Sequence, residues 1–293
     1  MKNVPVRHAV EYALAAPALG LLRRLPHGAS RALGARLGAF AFFVDARRRA
    51  IARENLAHAF PELAPAVRRR LARDCFRHFG AAFADALSAT RFDRVELCRR
   101  TSAVGLDHLL AAERRGRGVI LLSAHVGNWE IVHLYVAHAL GPMAMVGRPL
   151  DNPHLDRALR SLRGRFGNQM LEKRGAVREM FRILRQGGVL GLLLDQRVRA
   201  EEAIEVPFFG RPAWTSPIVA RLAQKTGAAI VPVFADHEPG GRYRIEFLEP
   251  IPAGPGDDDA STLELTRRCV ELYERVIRRA PERWLWLHDR WKR

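Results

Sequence analysis

From about residue 100 onward, apolar runs of strand length alternate with segments whose apolar residues recur at helical spacing. The runs are 119–122, 143–146, 189–194, 230–234 and 243–247. The helical segments are 129–139, 154–165, 177–186, 217–225 and 262–279. This alternation predicts an α/β fold, a sheet with helices packed on it. Gly187-Gly188 and Gly227 fall where helices should give way to strands, the usual place for a C-terminal glycine cap. Residues 1 to about 95 have no strand-like runs and read as all-helical, with Pro61 and Pro65 separating two helices. The 293 residues suit one large α/β domain with an added subdomain.

The run Gly118-Val-Ile-Leu-Leu122 stops at Ser123-Ala-His-Val-Gly-Asn-Trp-Glu130, and the helix follows at once. His125 therefore sits on a strand-to-helix turn, where a side chain is offered to a ligand from a rigid base. A histidine held by a carboxylate is a general base for a hydroxyl. On a single helix, five residues would set His125 and Glu130 roughly 140° apart. They are expected to meet because the histidine precedes the helix and Glu130 lies in its first turn, with Asn128 as N-cap. Free N–H groups at that helix start would help hold an anion.

Two further polar clusters follow apolar runs: Gly147-Arg148-Pro149 and Asp195-Gln196-Arg197. An arginine at a strand end can grip a phosphate or an acyl carbonyl. Polar residues past a buried strand point beyond the sheet edge, where α/β folds bind ligands. If the three strands are adjacent, the clusters converge. The stretch 206–215, with its aromatics and prolines, reads as a hydrophobic loop, a wall or lid. Trp284, Trp286 and Trp291 are expected to pack the end of the sequence onto the core, though such aromatics also suit a membrane interface.

Arginine supplies nearly all of the net charge of +17, since only four of the 48 basic residues are lysine. Such a surface attracts polyanions: nucleic acid, anionic lipid, acidic carrier proteins or phosphorylated substrates. No helix-turn-helix, zinc-finger or RNP signature favours nucleic acid. Cys75, Cys98 and Cys269 are odd in number and have no CxxC spacing, which argues against a disulfide scaffold or a zinc site. There is no HExxH and no Gly-x-Ser-x-Gly elbow, so metal hydrolysis and serine-hydrolase chemistry are disfavoured. Residues 9–22 are apolar but hold Glu11 and Pro17, too interrupted for a clean span. Residues 33–44 are apolar apart from Arg36 and run into Arg47-Arg48-Arg49. That pattern fits a helix lying in an anionic membrane face, or a buried helical hairpin.

Taken together, Arg49-Ala-Ile-Ala-Arg-Glu-Asn-Leu56, Phe60-Pro61, His125-Val-Gly-Asn-Trp-Glu130, Gly147-Arg148-Pro149 with Asn152, Gly187-Gly188, Asp195-Gln196, Val206-Pro-Phe-Phe-Gly210, Val231-Pro232 and Trp284-Leu-Trp-Leu-His-Asp-Arg-Trp-Lys292 form a pattern. It resembles the late acyltransferases of lipid A biosynthesis and their lysophospholipid- and glycolipid-acylating relatives. The resemblance implies a mixed, acyltransferase-like α/β sheet flanked by helices in residues 96–293. Residues 1–95 would be a helical, membrane-associating region. It also implies fatty acyl transfer from an acyl carrier protein or coenzyme A thioester to a hydroxyl of a lipid acceptor, foremost a lipid A precursor. His125 would be general base, with Glu130 orienting it. Arg148 would contact acceptor phosphate, and Asp195, with Asn128, Gln196 and Arg197, would line the site. No cofactor or metal and no nucleic-acid partner is expected. The expected location is the cytoplasmic face of a bacterial inner membrane. A lysophospholipid or glycolipid acyltransferase, or a thioesterase or lipase using the same pair on water, are the alternatives.

Overall fold

Seven strands form one mixed sheet in the order β1-β9-β8-β2-β5-β3-β4. The strands are β1 (Thr101–Val104), β2 (Val119–Ser123), β3 (Ala144–Gly147), β4 (Gln169–Glu172), β5 (Val189–Leu193), β8 (Ala229–Glu238) and β9 (Arg242–Phe247). The computed structural model describes residues 16–17, 19–147, 152–172 and 175–292. β8, β2, β5, β3 and β4 run parallel; β9 turns back antiparallel to β8, and β1 is parallel to β9. The fold is thus α/β with a mostly parallel sheet flanked by helices.

β2 is central, and all five of its residues are buried. That explains why its sequence is a continuous apolar run rather than an alternating one. Its side chains still divide by face. Ile120 and Leu122 pack with Leu190, Leu192 and Ile230 in one core layer, and Val119 and Leu121 pack with Val189, Val231 and Val233 in the other. Helices cover both layers.

Before the sheet come α1 (His27–Val44), α2 (Ala46–Ala59) and α3 (Pro65–Ala89). Pro65 begins α3, where its missing N–H costs nothing. α1 and α3 touch backbone to backbone. A Cβ on Gly38 would lie 2.1 Å from the Phe76 carbonyl oxygen, and one on Gly80 2.2 Å from that of Gly34. Glycine is required at this crossing because any side chain would force the helices apart. Phe42, Leu56, Cys75 and Phe76 from these helices join the core layer of Ile120 and Leu122, so the helical region and the sheet share one interior.

The sequence missed several elements. α4 (Arg94–Arg100) and α5 (Leu106–Arg114) lie on either side of the unpredicted β1, and β4 is a second unpredicted edge strand. α6 (Trp129–Ala139), α7 (Pro153–Arg163), α8 (Ala176–Arg185), α9 (Ile218–Thr226) and α10 (Asp259–Arg279) match the expected helices closely. The expected loop at 206–215 is instead an antiparallel hairpin, β6 (Ile204–Phe208) with β7 (Arg211–Thr215), pairing Pro207 opposite Pro212. Two prolines are tolerated because this ribbon has only two strands, each with a free edge. Trp284 and Trp286 are buried, as expected, at 1% and 0% exposure.

Candidate active site

β2 and β5 are parallel neighbours, so the polar residues that follow them gather at one end of the sheet, and β3 lies on the far side of β5. Parallel register decides which of them meet. Ser123 pairs with Leu193 at the last rung of β2 and β5. Two residues further on each chain stand His125 and Asp195. His125 Nδ1 lies 2.9 Å from Asp195 Oδ1, and the His125 backbone N–H donates to Asp195 Oδ2 at 2.9 Å. The Trp284 indole N–H gives Oδ2 a further bond at 2.8 Å. Burial alone would push the Asp195 carboxyl above its usual range, but His125 and these donors together hold it below. Asp195 is therefore an ionised acceptor, and it fixes the proton of His125 on Nδ1. The other ring nitrogen, Nε2, carries a lone pair and accepts from the Gln196 amide at 3.3 Å. The imidazole keeps 20% exposure, against 1% for the Asp195 side chain.

The expected pairing of His125 with Glu130 is corrected by this geometry: the carboxylate on the imidazole is Asp195. Glu130 lies in the first turn of α6, and Arg163 at the end of α7 takes it in a bidentate grip, its Nε 3.0 Å from Oε2. The Trp129 indole donates to the same carboxylate at 3.0 Å. Burial would raise the Glu130 carboxyl; Arg163, His133 and Trp129 outweigh it and lower it. His133, 3.8 Å from Glu130, is pushed down to about 4 by burial first, so it is neutral at physiological pH. Glu130 still reaches the histidine indirectly. The Trp129 ring that it holds packs against His125 with ring centres 4.8 Å apart.

The turn between β2 and α6 is closely held. Gly127 has φ of +63°, and a Cβ there would come within 2.2 Å of the Ala235 carbonyl oxygen, so glycine is needed for both reasons. Its N–H donates to the Arg283 carbonyl, and its own carbonyl accepts from His78 at 3.0 Å. Asn128 occupies the N-cap position of α6 but makes no side-chain cap bond, contrary to expectation. It is buried at 3% exposure, and its Nδ2 finds no acceptor among the described residues. The backbone N–H groups of residues 125 to 128 all have protein partners.

Gln196 reaches the imidazole; Arg197 turns away. The Arg197 backbone N–H donates to His288 Nε2 at 3.0 Å, and its guanidinium donates to the Lys292 carbonyl at 3.3 Å. Burial, the largest influence, pushes His288 down to about 4, which keeps Nε2 an acceptor. Arg148, expected at the end of β3, lies outside the described residues. Sequence reasoning missed Arg163, Trp284 and His288. Arg163 showed only helical periodicity, Trp284 was read as packing, and His288 stood only within the late motif of the resemblance. The arrangement is a buried carboxylate, an oriented imidazole and a ring nitrogen that faces the Gln196 amide, suited to taking a proton from a bound hydroxyl.

Comparisons with known proteins show the family of the chain. The family model described as bacterial lipid A biosynthesis acyltransferase matches residues 2–293. The chain is 29% identical to the lipid A biosynthesis lauroyltransferase of Escherichia coli (strain K12), over 94% of this chain and 89% of that one. It is 28% identical to the lipid A biosynthesis palmitoleoyltransferase of the same organism, over 94% and 88%. It is 26% identical to the phosphatidylinositol mannoside acyltransferase of Mycolicibacterium smegmatis, over 82% and 78%.

Proposed function

Because the chain belongs to the bacterial lipid A biosynthesis acyltransferase family, and is an acyltransferase, we propose that it moves a fatty acyl group from a thioester to a hydroxyl of a lipid A precursor. The donor is an acyl carrier protein or coenzyme A thioester. The observation that carries this reading is the orientation of His125, with Nδ1 bound to Asp195 and Nε2 facing the Gln196 amide. Acceptor hydroxyl displaces the Gln196 amide and gives its proton to Nε2. The oxygen attacks the thioester carbonyl carbon; collapse of the tetrahedral intermediate breaks the C–S bond. The thiolate leaves and takes the proton from Nε2, so no acyl-enzyme is formed. Asp195 supports the imidazolium between these two transfers.

The unpartnered Asn128 amide donates to the developing oxyanion, a duty that the engaged backbone N–H groups of 125 to 128 cannot perform. Glu130 acts at one remove, holding Trp129 against the imidazole ring. Arg148, the residue that follows β3 in the sequence, binds acceptor phosphate.

Residues 1–95 attach the enzyme to the cytoplasmic face of the inner membrane. What supports this is an apolar side of α1 left open: Leu37, Phe40, Phe43 and Val44 are 42%, 64%, 62% and 62% exposed. Arg47 and Arg48 are exposed beside it, and the Arg73 guanidinium lies over the Phe43 ring at 5.9 Å. No helix among the described residues is long and apolar enough to cross a membrane. The proposed attachment is to the surface, through apolar insertion and attraction to anionic lipid.

The decisive experiment is mass spectrometry of the lipids formed from acyl carrier protein or coenzyme A donor and a panel of acceptors. The panel holds a lipid A precursor, a lysophospholipid and a phosphatidylinositol mannoside. Acylated lipid A precursor, absent with His125→Ala, is expected. Free fatty acid released at one rate with or without acceptor would make the protein a hydrolase.

A further inference from the structure

Among the described residues Asp195 takes three hydrogen bonds, two of them from His125 itself. A carboxylate tied only to the group that it orients would move with it. The remaining bond, from the Trp284 indole at 2.8 Å, is the one that comes from elsewhere. Trp284 is itself immobilised. It is 1% exposed, and its ring packs edge-on against Trp286 and Phe208 at 4.5 Å and 5.4 Å between centres.

The segment around Trp284 is stitched to the catalytic turn. Val126 and Trp284 form an antiparallel bridge, flanked by Gly127 N–H to Arg283 carbonyl and Leu285 N–H to His125 carbonyl, at 3.0 Å and 3.1 Å. On its other side the segment is held by the helical region. The Cys75 thiol donates to the Trp284 carbonyl at 3.2 Å, and Asn55 Nδ2 donates to the carbonyls of Trp286 and His288 at 2.8 Å each. His288 closes the frame by accepting the Arg197 N–H. Asp195 is thereby gripped from the turn on one side and from residues 283–288 on the other.

We propose that Trp284 is a positioning residue for the acyl-transfer base: its indole N–H sets the Asp195 carboxylate, which sets the tautomer and direction of His125. The inference rests on the reading of His125 and Asp195 as the base pair. The titratable or charged groups felt by Asp195 are His125 in front, His288 and Arg290 from the late segment, and Tyr273 from α10. Tyr273 donates to the Ser123 carbonyl, and Arg290 donates to Trp214 and Thr215. Among the described late residues, Trp284 alone bonds the carboxylate directly.

The test replaces Trp284 in the full chain with its sulfur isostere, 3-benzothienylalanine, which keeps the ring shape and removes only the N–H. Trp284→Phe is a coarser companion, and thermal melting reports folding of both. With the isostere, kcat is expected to fall about ten-fold with acceptor KM unchanged. A carboxylate short of one donor binds protons more tightly, so the acid limb of the kcat profile moves to higher pH, whichever member of the coupled pair carries the proton. Wild-type kcat and pH profile in the isostere would overturn the proposal, as would lower kcat with an unmoved acid limb, the mark of a packing role. Full activity in His125→Ala would overturn the underlying base reading instead, so the two failures are separable.

Discussion

At the scale of single residues, the site holds two buried carboxylates with different duties. Asp195 carries the imidazole, and Glu130 carries Arg163 and Trp129. Asp195→Asn should therefore lower kcat by roughly a thousand-fold or more, since an amide cannot stabilise an imidazolium. Its loss of stability should be smaller than that from a change at Glu130, because its donors are uncharged N–H groups. Glu130→Gln should lose roughly 2 kcal/mol of stability because Arg163, only 19% exposed, is left without its counter-charge. Chemical denaturation and steady-state kinetics on both variants check the contrast; equal effects on stability would refute it. Both carboxyls are held below their usual range in the folded protein. Their stabilisation is complete above the unfolded carboxylate range of about 4 and is lost as pH falls through the depressed folded values. Melting temperature should accordingly drop on acidification below about pH 4, and less steeply in Glu130→Gln. A parallel drop in that variant would remove Glu130 from the account.

Among elements, the sequence showed well what is local. β2, β5 and their trailing polar residues were visible because a buried parallel strand is a continuous apolar run with an abrupt end. Helix limits were visible because glycine and proline mark them. Adjacency was not visible: His125 and Asp195 meet through a register between strands 70 residues apart, and no local pattern records that offset. Glu130 attracted attention through closeness in sequence, while Arg163, its real partner, comes from a different helix. β1 and β4, at four residues each on the sheet edges, were too short and too mixed to read. Proline obscured the 204–215 hairpin. The crossing of α1 and α3 was equally hidden, since a glycine read alone does not reveal what approaches it. Gly80→Ala places a methyl group where the Gly34 carbonyl lies and should destabilise by roughly 1–3 kcal/mol in urea. A midpoint within error of the parent would mean the helices separate freely.

For the whole molecule, the proposed membrane face makes a separate prediction. Replacing Phe40, Phe43 and Val44 together by serine should lower binding to vesicles containing anionic lipid about ten-fold or more while leaving the melting temperature near that of the parent. Added salt should weaken binding of the parent as well. Vesicle flotation measures both, and undiminished binding by the triple variant would place the attachment elsewhere.

The stitching of residues 283–288 onto the turn at Val126 and Gly127 also governs when the site comes into being. Translation delivers His125 first, then Asp195, and only much later the indole that braces them. A nascent chain halted between Asp195 and Arg283 would hold both the imidazole and the carboxylate yet lack their brace. Under the proposed mechanism, catalytic competence is deferred until the helical region, the sheet and the tryptophan segment have all been synthesised and have closed on one another.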